Sequence, residues 1–245
     1  MITSVQNDKV KQWKKLHKRK GRTESGAFFV EGFHLVEEAH KSNWEIKELI
    51  VQEGINVQHI EGEFPITEVG DNVFKHISKT ETPQGIAAIV KMNQPKVVNG
   101  STVLLIDSIQ DPGNLGTIIR TADAAGFNAV MLGENTVDAY NEKVIRATQG
   151  SLFHLPVTTE NLDEKITELK EEGFNIWASS LSGARSFDEL EVGSKTALIL
   201  GNEGAGVRDE IVELADTVVK IPIYGKAESL NVSVAAGILM YYIKM

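Results

Sequence analysis

The sequence predicts an α/β protein: a C-terminal α/β domain on a mostly parallel sheet, preceded by a small N-terminal α/β domain. From residue 101 onward, continuous apolar strands alternate with helical patterns, as expected of a sheet buried on both faces. Before residue 93, strand and helix candidates are shorter and fewer. The turn-rich residues Asn93-Gln94-Pro95-Lys96 and Asn99-Gly100 bracket a linker between the two. The expected divisions are therefore a basic N-terminal arm at 1–26, a small domain at 27–92, a linker at 93–100 and the larger domain at 101–245.

In the small domain, Phe28–Val30 and Ile46–Val51 read as strands around a helical stretch, Gly32–Lys41, whose apolar face is Leu35, Val36 and Ala39. Ile86–Val90 is a further strand after the turn Thr82-Pro83-Gln84-Gly85. In the larger domain the apolar strands are Val103–Ile106, Ala129–Leu132, Ile176–Ala178, Ala197–Leu200 and Val218–Ile221. Helical patterns fall at Leu115–Ala125, Leu162–Glu172 and Leu230–Ile243. The last of these is apolar nearly all round, which implies burial against the sheet or against a second subunit.

A chain of 245 residues with 42% hydrophobic and 24% charged residues can bury a sizeable core. It has no apolar run of about 18 residues, so no membrane span is expected. The start, MITSVQNDKVKQW, lacks the apolar stretch of a secretory signal. The absence of cysteine excludes disulfides, thiol nucleophiles and Cys-based zinc sites, and fits a cytoplasmic protein. The net charge of −9 is unevenly spread. Residues 1–26 carry eight Lys/Arg, including Lys14, Lys15, Lys18, Arg19, Lys20 and Arg22, against only Asp8 and Glu24. This stretch is thus +6, leaving −15 for the rest of the chain. A basic segment on an acidic body suits contact with nucleic-acid phosphates, and equally a solvated amphipathic helix.

Three segments of the larger domain carry the candidate chemistry, because ligands of such sheets bind beyond the carboxyl ends of the strands. The first, Asp107–Gly116, is a polar loop that enters a helix near Asn114, a residue able to cap it. Leu115, Ile118, Ile119 and Ala122 form that helix's buried stripe, and Gly126 is placed to end it. Arg120 lies off the stripe, as a surface arginine or a ligand-facing one would. The second segment, Gly201-Asn202-Glu203-Gly204-Ala205-Gly206, combines close-approach glycines with a carboxylate at a strand end. It is neither G-x-G-x-x-G nor a Walker loop, which disfavours an ordinary nucleotide-dependent Rossmann enzyme. In the third, Ile221–Ser233, a strand stops at Pro222 and a helix starts around Ser229, with Asn231 in its first turn.

Taken together, Asn114-Leu115-Gly116 with Arg120, Gly201-Asn202-Glu203-Gly204 with Gly206, and Ser229-Leu230-Asn231-Val232-Ser233 resemble the three ordered motifs of the SpoU/TrmH (SPOUT) family of RNA ribose 2′-O-methyltransferases. Ala147–Pro156 is similar to the segment between the first two motifs. Phe29-Val30-Glu31-Gly32 and Gln84-Gly85-Ile86-Ala87 are similar to the small substrate-binding domain fused to many members, a ribosomal-protein fold of the L30e type. The resemblance implies a C-terminal SPOUT domain with a deep trefoil knot, a homodimer, and S-adenosylmethionine as cofactor. It implies that Leu200, Gly201, Ile221, Ser229 and Leu230 bind that cofactor, and that Arg120, Asn114, Glu203, Ser229 and Asn231 are catalytic. It implies no metal, and RNA as the partner through the basic arm, with ribosomal RNA favoured by the auxiliary domain. A tRNA methyltransferase and a non-catalytic RNA-binding protein of the same fold are the alternatives. By the resemblance Arg120 acts as a general base or as a charge stabiliser; the second is favoured, because a guanidinium holds its proton far above neutral pH and leaves little neutral base.

Overall fold

Runs such as TVLLI and TALIL, rich in β-branched and large apolar residues, form strands buried along their whole length. The structure, a computed structural model, describes residues 1–42, 44–58, 60, 62–93 and 100–245. Most of the linker expected at 93–100 lies outside the described residues. The chain begins α1 (Asp8–Lys15), α2 (Arg19–Ser25), β1 (Ala27–Glu31), α3 (Phe33–Lys41), β2 (Ile46–Gln52), β3 (Ile66–Val69), α4 (Asp71–Ile77) and β4 (Ile86–Lys91). It continues β5 (Thr102–Ile106), α5 (Pro112–Ala124), β6 (Ala129–Gly133), α6 (Glu142–Thr148), β7 (Val157–Glu160), α7 (Leu162–Glu171) and β8 (Asn175–Ser179). The last elements are β9 (Arg185–Ser186), β10 (Thr196–Leu200), α8 (Asp209–Glu213), β11 (Thr217–Lys220) and α9 (Val232–Lys244).

These elements form two compact units, Met1–Asn93 with Tyr140–Phe153, and Gln94–Ala139 with His154–Met245. The sequence gives no local sign that Tyr140–Phe153 belongs with the first unit, and places it in the larger domain. Aromatic packing is what holds it there: the Phe28 ring meets Trp44, Tyr140 and Phe153, and the Trp44 indole N–H donates to the Phe153 carbonyl.

The sheet of the first unit runs β1-β4-β2-β3, with β4 antiparallel to β1 and β2, and β3 parallel to β2. Residues 1–26 are not an extended arm. Asn7 caps α1, and Val10, Trp13 and Leu16 are buried against Phe29, Ile50 and Ile89 of the sheet and Phe74 and Ile77 of α4. Two of the expected RNA contacts are drawn into this packing. Arg22 is buried and donates to the Leu16 carbonyl, closing the turn between α1 and α2, so it does not belong to the basic surface. Lys14 is half-buried and donates to the His76 carbonyl. Lys15, Lys18, Arg19 and Lys20 are exposed.

The second unit has a seven-stranded sheet in the order β7-β6-β5-β10-β8-β11-β9, with parallel pairing throughout. Val103, Leu105, Ala197, Ile199, Ile176 and Ala178 face Ile166 and Leu169 of α7 and Ile211 of α8. The alternate residues Leu104, Ile106, Leu198 and Leu200 point to the opposite face, and are also buried. Helices α5 and α9 pack on one another, and α9 on β10.

Removing the Trp13 side chain tests whether the N-terminal residues are structural. Trp13→Ala is expected to lower the stability of the first unit by about 3–5 kcal/mol in urea unfolding, as for other buried aromatic truncations. A loss below about 1 kcal/mol would mean that α1 is a dispensable appendage.

Candidate active site

Pairing of β5 with β10 in the register Ile106↔Leu200 ends both strands side by side, so the loops that follow leave the sheet together. The Asp107 amide donates to the Leu200 carbonyl at 2.8 Å. The Asp107 carboxylate, 1% exposed, accepts from the Arg208 amide at 2.9 Å and from Arg208 Nε at 2.8 Å. A buried carboxylate needs such partners, and here they tie the first loop to the far end of the second.

The second loop is a tight hairpin. Asn202 and Gly206 exchange both backbone hydrogen bonds, and Asn202 Oδ1 accepts from the amides of Gly204 and Ala205. Asn202 Nδ2 donates to the Ser108 carbonyl at 2.8 Å, a second tie to the first loop. Position 201 must be glycine: a Cβ there would lie 2.1 Å from Gly206 C and Val207 N.

Glu203 projects from this hairpin onto the start of α5. Its Oε1 accepts from the Asp111 amide at 3.0 Å and from Asn114 Nδ2 at 3.1 Å, and its Oε2 from the Gln110 amide at 3.3 Å. Partial burial alone would raise the Glu203 pKa, but the bonds from its own backbone, Asn114, Asp111 and Gln110 outweigh it and hold the carboxyl below its ordinary value.

The helix caps differ from the sequence expectation, and the difference builds the site. Asp111, not Asn114, caps α5 by accepting from the Asn114 amide at 2.8 Å, because Pro112 takes the first helical position. The Asn114 side chain is therefore free to donate to Glu203 and to accept from Asn231 Nδ2 at 3.0 Å. Asn231, not Ser229, caps α9: its Oδ1 accepts from the Ser233 amide at 2.9 Å and from the Ser233 hydroxyl at 2.6 Å. α9 begins at Val232, so Ser229 and Leu230 belong to the preceding loop. One hydrogen-bonded line thus runs from Glu203 through Asn114 and Asn231 to the first turn of α9.

Beside this line lies a cleft of about 650 Å³ beyond the carboxyl ends of β8, β10 and β11, within the usual size range of small-molecule sites. Leu200, Gly201, Ile221, Ser229 and Leu230 all line it. Leu200, Val207, Ile221 and Ile223 give it apolar walls, and Ser179, Ser182 and Lys220 supply polar groups. Such a donor set fits a cofactor with a flat apolar ring at one end and polar groups at the other. Among the described residues, no group of three or more His, Cys, Asp or Glu could hold a metal ion.

Arg120 is exposed on α5, apart from the Glu203–Asn114–Asn231 line. Six residues beyond Asn114, it stands about 9 Å further along the helix and about 120° around it. Sequence reasoning missed the residues that brace the loops: Asp107, Asn202, Arg208 and Asp111 as a cap. An acid ending a run of four apolar strand residues was a usable signal for Asp107, and the dipeptide Asp111-Pro112 was one for the cap.

Comparison with known proteins identifies the family. Residues 101–241 match the SpoU rRNA Methylase family, and residues 7–88 match the MRM3-like substrate binding domain. The chain is 47% identical over 244 residues to the Bacillus subtilis 23S rRNA (guanosine(2553)-2′-O)-methyltransferase RlmP, covering 99% of this chain and 98% of the relative. The AdoMet-bound rRNA methyltransferase of Sinorhizobium meliloti superposes with a TM-score of 0.91 at 31% identity, covering 99% of this chain and 96% of that one. The methyltransferase AviRb of Streptomyces viridochromogenes, in complex with AdoMet, gives 0.87 at 25% identity over 98% and 97% of the two chains.

The depressed Glu203 carboxyl has a thermodynamic consequence. A folded-state pKa below the unfolded one adds stability that is complete above the unfolded value and is lost as pH falls through the folded one. Wild type is therefore expected to exceed Glu203→Gln in stability at pH 7, with the gap closing under acid. An unfolding series over pH 7 to 3 in which the gap stays constant would detach Glu203 from its hydrogen bonds.

Proposed function

Because the chain belongs to the SpoU rRNA methylase family, we propose that it transfers a methyl group from S-adenosylmethionine to a ribose 2′-hydroxyl of ribosomal RNA. The observation that carries this proposal is the convergence of three distant segments on one hydrogen-bonded line, Glu203–Asn114–Asn231, at the edge of a cofactor-sized cleft. The relatives support it: one is named for 2′-O-methylation of a 23S rRNA guanosine, and two solved structures hold AdoMet. The family's trefoil knot belongs to the same proposal, as does work in the cytoplasm on rRNA. Among the described residues, no helix is long and apolar enough to cross a membrane.

Leu200, Gly201, Ile221, Ser229 and Leu230 would hold the cofactor, which when bound supplies a methyl group already activated on a sulfonium. What is left to the chain is alignment and charge. The ionised Glu203 holds Asn114 and the amides of Gln110 and Asp111 in place, and Asn114 fixes Asn231, so the polar groups facing the ribose are oriented in advance. The ribose hydroxyl becomes more anionic as it loses its proton to solvent water. Arg120, permanently charged, stabilises that developing charge and pairs bidentately with a neighbouring phosphate. Lys15, Lys18, Arg19 and Lys20 add phosphate contacts from the first unit.

We also infer a homodimer through α9. Val234, Ile238 and Tyr241 are exposed at i, i+4 and i+7 of that helix and make one apolar stripe.

Unmethylated 23S rRNA incubated with the protein and S-adenosylmethionine is expected to yield a 2′-O-methylated nucleoside in mass-spectrometric nucleoside analysis. Methyl groups on a base, or none, would overturn the assignment. Arg120→Ala is expected to cut turnover by about 100-fold or more, the scale of losing a charge-stabilising donor, with calorimetric cofactor affinity unchanged. Normal turnover, or lost cofactor affinity, would remove Arg120 from the chemistry. For the dimer, Val234→Glu with Tyr241→Glu is expected to halve the mass in sedimentation equilibrium; a wild-type monomer would dismiss it.

A further inference from the structure

The first unit contains a cleft that plays no part in the site above. It has a volume of about 360 Å³ and opens between α1, α2 and the sheet. Its floor is apolar, made by Leu16 at the end of α1, Ala27 of β1, Ile89 of β4 and the Trp13 indole. Its walls depend on a close helix approach. A Cβ at Gly21 would lie 2.2 Å from the Lys15 carbonyl oxygen, so only glycine lets the start of α2 fold so tightly against the end of α1.

The polar groups around this floor are arranged in two tiers. Deep in the cleft, Glu48 Oε1 accepts from Lys9 and Thr67, whereas Oε2 accepts from Trp13 Nε1 at 3.1 Å. A carboxylate oxygen has two lone pairs, so Oε2 can accept a second hydrogen bond beside that from Trp13 Nε1. At the mouth stand Gln12, Glu24, Lys15 and Lys47, and Lys47 Nζ reaches the Ser25 carbonyl at 3.3 Å. The surrounding segment, residues 1–26, carries a +6 balance in a chain of −9.

An apolar slot with a hydrogen-bond acceptor among its lining and two lysines beside one glutamate at its mouth matches one kind of RNA feature. An unpaired base offers an apolar face and edge N–H donors, and its flanking phosphates are anionic. We propose that this cleft receives an unpaired nucleobase of the RNA substrate, gripped at a distance from the nucleotide whose ribose is methylated. The proposal rests on the RNA methyltransferase assignment above and extends it to substrate choice. All but one of the lining residues fall within the 7–88 match to a substrate-binding domain. A base held here selects RNAs by an unpaired base outside the modified nucleotide, without reading the modified nucleotide itself.

The test uses the full-length protein and two probes, a single-stranded RNA pentamer and an abasic pentamer with the same phosphates. The Trp13 indole N–H signal, assigned by its loss in Trp13→Phe, is followed by NMR, and affinities are measured for wild type and Gln12→Trp. Gln12 is exposed at the mouth and lies outside the catalytic machinery, so the larger side chain plugs the cleft from its rim. The base-bearing pentamer is expected to shift the Trp13 signal and to lose about fivefold or more in affinity for Gln12→Trp, in line with the usual worth of one buried base. The abasic pentamer is expected to leave the Trp13 signal in place and to bind both proteins equally. Equal behaviour of the two pentamers overturns the proposal, and so does unchanged binding of the base-bearing one to Gln12→Trp. If neither pentamer binds while 23S rRNA is still methylated, the nucleobase cleft alone is wrong; if methylation is absent too, the assigned activity falls with it.

Discussion

The parallel pairing of β5 with β10 is the constraint on which the site depends. Its register brings Ile106 opposite Leu200, so two loops that are almost a hundred residues apart in the chain leave the sheet at the same height. A slip of one residue would turn every buried side chain of β10 to the wrong face, and both faces of this sheet are covered. The register is therefore fixed by burial, and the active site inherits that precision. Asp107 and Asn202 then convert strand alignment into loop alignment through Arg208 and the Ser108 carbonyl.

On this base, Glu203, Asn114 and Asn231 act as a single device. Each amide is used in both directions, donating with its nitrogen and accepting with its oxygen, so no member can rotate without breaking a second bond. Such a line is stiff at little cost in buried charge, since only Glu203 is ionised and it is amply hydrogen-bonded. It also divides the labour of methyl transfer. In the proposed reaction the line and the cleft would provide geometry, and Arg120, standing apart on α5, would provide charge. An arginine that keeps its proton is better suited to that second task than to the removal of a proton.

Much of this was legible in the sequence, for particular reasons. Strands β5, β6, β8 and β10 are buried on both faces, so their apolar runs announce them. Strands β3 and β7 lie at sheet edges, are only partly buried and read ITEV and VTTE, which hides them among loops. The helix starts were missed by a few residues because each motif offers two capping side chains. In Asp111-Pro112-Gly113-Asn114 the proline decides for Asp111, and in Ser229-Leu230-Asn231 the later residue wins. The candidate site residues could be named from their motifs, but their mutual contacts could not. Asn114 meets partners 89 and 117 positions away, and nothing local in the chain encodes that. The same holds for Arg22, whose charge suggested a surface role until the fold buried it.

The central claim is that the three loops work as one hydrogen-bonded unit in positioning the ribose. A double-mutant cycle on turnover tests it most directly, using Asn114→Ala, Asn231→Ala and the pair. Residues that act as a unit give strongly non-additive losses, so the double variant is expected to be little slower than the worse single one. Losses that multiply across the pair would show two independent contributions and contradict the account.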